Sequence, residues 1–370
     1  MATSHEIRVN HKIPVREQPD RCHNRWHPDI PPALTCRPGD EILMETRDAV
    51  DGQYTRDSGH ADVVRADRTV VHPLTGPVGV VGAEPGDLLE VEIVDIVPAD
   101  FGYTAQIPGF GFLTDEFPEP FLVRWDIGEG VAVSPDLRGV TIPGAPFMGT
   151  MGVAPSPKLL AQIADRERAL VADGADVALA EPRGAVPADD LIARNGLRTK
   201  PPRENGGNMD VKWMVAGTRI LFPVWVHGAL FSAGDGHFAQ GDGESCGTAI
   251  EIRTTLRVRL SLRKGEAAGR GVRDVRFEAP AAARVPGPHL TTTGLCVYAE
   301  GGGRANDLTL AARNALLNMI DHLVAEFGFT RQQAYALCSV AVDLKVGQVV
   351  NSPNHVATAS LPLDVLAARS

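Results

Sequence analysis

The chain has 370 residues, 44% of them hydrophobic, and a formal net charge of −10. A chain of this length and composition can bury a full core, which excludes global disorder. The acidic balance, with a pI near 5.6, argues against a nucleic-acid partner, because nucleic-acid-binding surfaces normally carry a basic stripe or arm.

Cysteine usage and hydropathy predict a cytoplasmic protein. The chain has five cysteines, an odd number without CxxC spacing, which indicates reduced thiols rather than a disulfide framework. The segment from Met1 to Asp20 has no apolar signal region, and no later segment has the length of uncharged apolar sequence that a membrane span requires. We therefore expect no membrane partner.

The first half of the sequence predicts strands joined by turns. One Pro-Gly-Asp turn ends at Asp40 before a strand over 41–46, and another leads into an alternating polar and apolar strand over 87–96. The Pro/Gly loop that begins at His72 is interpreted as a rigid crossover. Glycine and proline, with 38 and 28 residues, punctuate short Val/Ile-rich runs, which is typical of a many-stranded architecture.

Helical spacing of apolar residues predicts helices mainly near residues 157-173 and 307-340. In the later region, Gly328 is expected to end one helix and Thr330 to cap the next. We therefore predict an α+β, strand-dominated fold with a β-sandwich or barrel-like core.

Composition changes divide the chain into three predicted parts. Residues 1-155 are expected to form an N-terminal β-rich domain. Residues 156-202, rich in Ala, Asp, Glu and Arg, are expected to form a helical or irregular insertion or boundary. Residues 203-370 are expected to form a C-terminal α+β domain, which carries the glycine-rich run GDGHFAQGDGESCGTAIE over 234–251.

This glycine-rich run is the candidate reactive loop. Asp235 and His237 are two residues apart, so in an extended backbone both side chains would share one face, a spacing that suits two ligands of one metal ion. Asp242 and Glu244 follow within one short turn, and the glycines let the backbone approach another group closely. A loop with this many ionisable groups predicts chemistry rather than a simple linker.

Three further residues each have two interpretations. Asp48, after a predicted strand, is either a turn acid or a group that completes a mononuclear metal site or orients an attacking water. Glu84, before a Pro-Gly pair, either caps its turn or faces a pocket. Cys246 suggests acyl transfer by a thiolate, but its neighbours indicate a strand entering the core, which favours an unreactive buried thiol.

Several blocks of the sequence resemble the acetamidase/formamidase family of small-amide hydrolases. The blocks are GGNMD at Gly206–Asp210, the run from Gly228 to Gly247, HNRWHPDIP at His23–Pro31, the turn from Gly76 to Asp87, and the segment from Gln332 to Leu344. The block at His23–Pro31 looks like the formamidase branch, whereas SCGT after Glu244 looks like the acetamidase form. The stretch over 161–194 is not covered by the resemblance.

The resemblance implies hydrolysis of a short aliphatic amide to ammonia and a carboxylate by a cytoplasmic homo-oligomer with a largely β fold. It also implies a divalent metal ion held by Asp48, Asp235 and His237, for which we expect zinc, although Mn²⁺ or Fe²⁺ would suit the same donors.

The remaining polar residues then receive expected roles. The catalytic candidates are Glu244, Glu84 and Asp242, with Glu244 or Glu84 as the general base. Asn208 and Gln240 are expected to hydrogen-bond the substrate amide. Two alternatives stay open, namely Cys246 as a covalent nucleophile, and a binding protein that holds small amides without turnover.

Overall fold

The computed structural model describes residues 3–280, 287–298, 303–349, 352 and 354–366. It confirms the α+β, strand-dominated class, and it places the long helices in the two predicted regions. The helices are α1 (Pro157–Ala172), α2 (Asp190–Asn195), α3 (Glu266–Arg270), α4 (Leu308–Phe327) and α5 (Arg331–Ala341). Within the described residues, no helix has the length and apolar character that crossing a bilayer requires.

The described strands are distributed along the whole chain, and 3-10 turns lie between some of them. In the first half they are β1 (Ser4–Ile7), β2 (Cys22–His23), β3 (Arg25–Trp26), β4 (Leu34–Cys36), β5 (Glu41–Thr46), β6 (Leu74–Val80), β7 (Leu88–Gln106), β8 (Phe121–Gly128), β9 (Val131–Val133), β10 (Thr141–Pro143) and β11 (Phe147–Gly152). In the second half they are β12 (Leu197–Arg198), β13 (Gly206–Asn208), β14 (Arg219–Pro223), β15 (Phe231–His237), β16 (Glu251–Arg263), β17 (Arg276–Glu278), β18 (His289–Leu295), β19 (Asp343–Gln348) and β20 (Val356–Pro362).

Most of the described strands belong to one 15-stranded sheet, in which the longest path runs β10-β9-β8-β7-β16-β15-β11-β13. The long antiparallel pairing of β7 with β16 runs from Tyr103 opposite Glu251 to Leu88 opposite Arg263. Because β7 comes from the predicted N-terminal domain and β16 from the predicted C-terminal one, the two halves share a sheet. The boundaries at residues 155 and 203 stay a prediction.

The two Pro-Gly-Asp turns form the same local hydrogen bond. Asp40 accepts from the backbone amide of Arg37 at 2.9 Å, and Asp87 accepts from that of Glu84 at 2.9 Å. A side chain that accepts from a backbone amide three residues earlier fixes such a turn locally. Shared turn chemistry therefore accounts for the recurrence of the motif.

A second, three-stranded sheet, in the order β18-β20-β19, packs against α4. Helix α5 begins with the expected N-cap. The Thr330 side chain accepts from the Gln333 amide, and the Gln333 side chain accepts from the Thr330 amide. Gly328 ends α4 at a φ of 73°, a left-handed conformation that glycine adopts without steric cost.

Candidate active site

Four neighbouring strands place ionisable and aromatic groups in one row across the large sheet. The register pairs Tyr103 of β7 with Glu251 of β16, Glu251 with His237 of β15, and His237 with Phe147 of β11. Directly paired residues on adjacent strands lie on the same face. Strand pairing thus brings an acid, an imidazole and a phenol together although they are far apart in the sequence.

His237 is the centre of a buried cluster. Its Nε2 lies 3.2 Å from Glu251 Oε2 and 3.5 Å from Asp235 Oδ1. Its Nδ1 lies 3.0 Å from Gln240 Oε1, and Gln240 Nε2 donates to the Asp210 carbonyl at 2.8 Å. Because Gln240 Nε2 donates to the Asp210 carbonyl, Gln240 Oε1 is the atom that faces the His237 ring. An amide oxygen only accepts, so we assign a proton to His237 Nδ1. Nε2 is then the atom that binds either a further proton or a cation.

A hydrogen-bonded chain holds Asp210 beside this cluster. Thr150 Oγ1 donates to Asn208 Oδ1 at 2.6 Å, and Asn208 Nδ2 donates to Asp210 Oδ2 at 2.5 Å. Asp210, His237 and Glu244 can bring one ligand atom each within 4.8 Å of one another, and so can Asp235, His237 and Glu251. The two groups share the His237 ring, so the five residues form one acidic centre.

Three of these acids have left-handed backbone conformations. The φ angles are 49° at Asp210, 58° at Asp235 and 43° at Glu244. Side chains other than glycine seldom adopt this region, and such strain is found preferentially at functional sites, where the surrounding structure maintains it. The unusual backbone is an independent reason to regard the acidic centre as functional.

Burial makes it difficult for the acids to ionise together. It raises the pKa of Asp210 to about 8 and that of Glu251 to about 7. Burial, reinforced by the charge of Asp210, raises the pKa of Glu244 well above its usual value. Near neutral pH these carboxyl groups therefore share protons rather than all carrying full charge.

The imidazoles have the opposite effect on Asp235. Burial alone would raise its pKa, but the neighbouring rings of His72 and His237 outweigh burial and lower it. Burial also opposes protonation of His237, yet the carboxylates of Glu251 and Asp235 raise the pKa of its ring. The centre therefore stabilises positive charge at the His237 ring.

The donor atoms of the centre fit a divalent cation. Asp235 Oδ1, His237 Nε2 and Glu251 Oε2 are buried and have no hydrogen-bond partner among the described residues. Two carboxylates and one imidazole form a donor set that suits zinc and other divalent transition metals. A cation would displace the shared protons and satisfy atoms that are otherwise costly to bury.

Gly149 of β11 keeps space open beside these carboxylates. A Cβ at this position would lie 2.5 Å from Asp210 Oδ1 and 2.6 Å from Asp235 Oδ2. Those separations are shorter than any non-bonded carbon–oxygen contact allows, so a side chain here would displace the acids. The site requires glycine at this point for close approach rather than for a turn.

The acidic centre borders a cavity of about 730 Å³. Asp235 and Glu251, each 2% exposed, mark its buried floor, and the exposed lining residues mark its mouth. Part of the mouth comes from the chain over 176–200, within the predicted insertion at 156-202. This segment therefore lies beside the site, a position that its composition did not indicate.

The structure does not bring every predicted site residue to this cavity. Glu84 has a 51% exposed side chain that pairs with His227 at 2.6 Å, on the turn before β7. Asp242 is half-buried, and its backbone amide donates to Asp343. Asp48 accepts from the Tyr103 hydroxyl at 3.2 Å and borders a separate 270 Å³ cavity.

The remaining predicted residues differ in their access to the cavity. Asn208 and Glu244 line it. Both ends of the Gln240 amide are engaged by protein atoms, so Gln240 orients His237. Cys246 is fully buried, and burial raises the pKa of its thiol to about 11, which leaves little thiolate near neutral pH.

Four residues of the site have no role predicted from the sequence. Asp210 ends the GGNMD block, and Glu251 ends the glycine-rich run, where the local pattern indicates only the start of a strand. His72 lies 3.9 Å from Asp235 through Nε2, although its loop is predicted to be a crossover. Tyr103 has no local signal, because only the β7–β16 register places it opposite Glu251.

A buried centre of acids and an imidazole at the floor of a cavity suits hydrolytic chemistry, and comparison with known proteins shows the family to which the chain belongs. The model of the acetamidase/formamidase family matches residues 8–368. An acetamidase of Mycolicibacterium smegmatis is 41% identical over 89% of this chain and 87% of its own length. A formamidase of Methylophilus methylotrophus is 36% identical over 94% of this chain and 90% of its own length.

Comparison with solved structures gives a result consistent with the sequence comparison. A γ-lactamase from Delftia acidovorans superposes with a TM-score of 0.93 and 37% identity, and the match covers 98% of this chain and 93% of that one. The chain belongs to the acetamidase/formamidase family. It is accordingly an amidohydrolase that acts on linear carbon–nitrogen bonds.

Proposed function

We propose that this protein hydrolyses a short aliphatic amide, of the formamide or acetamide type, to a carboxylate and ammonia. The names of the two curated relatives support this substrate class. The observation that carries the proposal is that Asp235, His237 and Glu251 bring buried ligand atoms within 4.8 Å of one another. These atoms have no hydrogen-bond partner among the described residues, and they lie beside a cavity that Glu244 also lines.

Asp235, His237 and Glu251 are the residues that we propose to hold a divalent ion, with zinc as the first choice. When bound, such an ion supplies Lewis-acid chemistry, because it polarises an amide carbonyl and makes a water molecule more acidic. This set replaces Asp48 of the sequence-based expectation with Glu251. Gln240 fixes the His237 ring through Nδ1, the kind of support that metal-binding histidines usually have.

Glu244 is our proposed general base. Its carboxylate accepts a proton from the attacking water as the C–O bond forms, and the same proton then passes to the leaving nitrogen as the C–N bond breaks. Burial and the charge of Asp210 raise the pKa of Glu244, which moves a carboxyl group toward the range in which it can both accept and return a proton. Asn208 donates one amide proton to Asp210, and its proposed role is to donate the second to a substrate.

The proposal is tested by an ammonia-release screen over formamide, acetamide and propionamide, run with metal-stripped and zinc-reconstituted protein. We expect turnover of at least one amide and its loss on stripping. Full turnover by protein that contains no metal would overturn the metal-assisted mechanism, and binding of amides without ammonia release would favour a non-catalytic binding protein.

The covalent alternative has a separate test. If Cys246 were the nucleophile, a quenched reaction would contain an acyl adduct on its sulfur, and Cys246→Ala would be inactive. We expect instead that Cys246→Ala keeps its activity and that mass spectrometry finds no adduct.

Opening of a small lactam is a second candidate function. It is favoured by the close superposition with the γ-lactamase and by a cavity volume that is large for formamide but within the range of pockets that hold larger ligands. Adding 2-pyrrolidinone to the same screen, with detection of the ring-opened amino acid, distinguishes it from linear amide hydrolysis.

A further inference from the structure

Charged side chains line the cavity both at its floor and elsewhere. The buried floor carries the acidic centre. The rest of the lining includes four cationic side chains, of which Arg68 and Arg183 are exposed, Lys200 is half-buried and Arg198 is buried, together with the acids Asp67, Asp176 and Glu181.

Three of these charged groups, Arg198, Glu181 and Asp67, are already engaged by protein atoms. Arg198 pairs with Glu181 at 2.9 Å and also donates to the Arg68 carbonyl at 3.2 Å. Asp67 accepts from both the amide and the hydroxyl of Thr69. These groups hold the segments around the mouth in place and are less available to a ligand.

Lys200 differs from them. Its ammonium group lies 4.3 Å from the centre of the Phe110 ring, and it has no hydrogen bond or ion pair with any described residue. The side chain is half-buried. Burial lowers the pKa of Lys200, and among nearby charges Asp176 opposes this change whereas Arg68 and Arg198 add to it. A cation that has lost part of its hydration and has only an aromatic face as a partner can accept an anionic ligand at small desolvation cost.

We propose that Lys200 is a specificity-determining residue that binds a carboxylate on the acyl chain of the substrate, so that the protein prefers monoamides of dicarboxylic acids to neutral amides of the same length. This inference rests on the proposed amide hydrolysis. Lys200 orients such a substrate, because it attracts the carboxylate to its own part of the cavity lining. The amide end of the substrate is thereby directed toward Glu244 and Asp235.

The test compares two substrates of nearly equal shape, succinamate and 4-methylpentanamide, in which an isopropyl group replaces the carboxylate. We expect the wild-type protein to favour succinamate. Lys200→Met should lower kcat/KM for succinamate by at least about tenfold, the range expected for losing one hydrogen bond to a charged group, and should change kcat/KM for 4-methylpentanamide less than about twofold. The loss should appear mainly in KM, because the carboxylate is bound equally in the ground state and the transition state.

Two further variants complete the experiment. Lys200→Arg should restore part of the succinamate preference, and Lys158→Met, which removes an exposed lysine at the start of α1, should leave both substrates unaffected. Equal kcat/KM for both substrates in wild type, or an equal loss for both in Lys200→Met, overturns the role of Lys200 while amide hydrolysis stands. Absence of ammonia from every amide, formamide and acetamide included, overturns the proposed function and this inference with it.

Discussion

At the scale of single residues, Glu244 and Glu84 illustrate how two acids in similar glycine-rich contexts reach different positions. Glu244 has a left-handed conformation beside Asp210, and burial raises its pKa, whereas Glu84 lies on an exposed turn and pairs with His227. Of these two acids, Glu244 lines the cavity. This difference gives a direct test of the general base.

We expect Glu244→Gln to lower kcat by roughly 10²- to 10⁴-fold, because an amide cannot accept the proton of the attacking water. Glu84→Gln should stay within about twofold of wild type. Steady-state ammonia release from the best amide of the screen measures both. A severe loss in Glu84→Gln together with an active Glu244→Gln would reverse the assignment.

Gly149 gives a second prediction at this scale. We expect Gly149→Ala to lower kcat/KM by about tenfold or more, because its Cβ would push against the carboxylates of Asp210 and Asp235, and small displacements of reacting groups are costly. Gly128→Ala is the matched control, since Gly128 is exposed on β8 and a Cβ there meets nothing within 4 Å. Comparable activity of the two variants would contradict the account of Gly149.

At the scale of elements, α5 holds the glycine-rich loop. The Gly241 amide donates to the Ser339 carbonyl at 2.8 Å, and the Cys246 amide donates to Ser339 Oγ at 3.0 Å. Ser339 Oγ in turn donates to the Thr248 carbonyl at 2.7 Å. The loop whose residues predict chemistry is therefore fixed by a helix from a distant part of the chain.

The Pro-Gly-Asp turn before β5 predicts a pH effect on stability. Asp40 accepts from the amides of Thr3 and Arg37 at 2.8 and 2.9 Å, and these bonds lower its pKa to about 2. Because the folded-state pKa lies below that of the unfolded chain, about 3.9, the stabilisation is complete above about pH 5 and is lost as the pH falls toward about 2.

Asp40→Asn should therefore unfold at a lower denaturant concentration than wild type at about pH 6, with the difference shrinking between about pH 5 and about pH 2.5. Urea midpoints followed by circular dichroism measure this. A constant difference across that pH window would show that the loss comes from the turn geometry and not from the charge of Asp40.

At the scale of the whole molecule, a cation bound at the proposed site would link metal binding to stability. A ligand that binds only the folded state adds a stabilisation of about 2.7 kcal/mol at a free concentration one hundred times its Kd. We expect zinc to raise the melting temperature of metal-stripped protein, and Glu251→Gln to abolish most of this rise. Differential scanning calorimetry gives the readout without any need for turnover.

Asp48→Asn serves as the comparison in that experiment, because Asp48 lies in neither of the two ligand groups among the described residues. We expect its zinc-dependent rise to match that of wild type. A rise that survives in Glu251→Gln but disappears in Asp48→Asn would support the ligand set expected from the sequence instead.

The cytoplasmic location, the homo-oligomeric state and the absence of nucleic-acid and membrane partners stay predictions from composition and family resemblance. The same holds for the division into three parts. The structure does show how the three predicted parts contact one another. Strands β7 and β16 pair across the first and third parts, and the chain over 176–200, in the second part, lines the cavity of the site.

Features that depend on local interactions were predictable from the amino-acid sequence. The turns at Asp40 and Asp87, the cap at Thr330 and the end of α4 at Gly328 follow from side-chain and backbone contacts within a few residues. The glycine-rich loop was recognisable for the same reason, since its acids and imidazole are close together in the chain. The spacing of Asp235 and His237 is thus sufficient to propose them as site residues.

The residues that join them from other segments depend on how the strands pair and pack. Strand register brings Glu251 to His237 and Tyr103 to Glu251, and a shift of one residue would place their side chains on the opposite face. Asp210 and His72 arrive from other loops, whereas Glu84 remains on the surface. Burial, which raises the pKa of Asp210 and Glu251, likewise arises only when the strands pack, because desolvation depends on everything that surrounds a group.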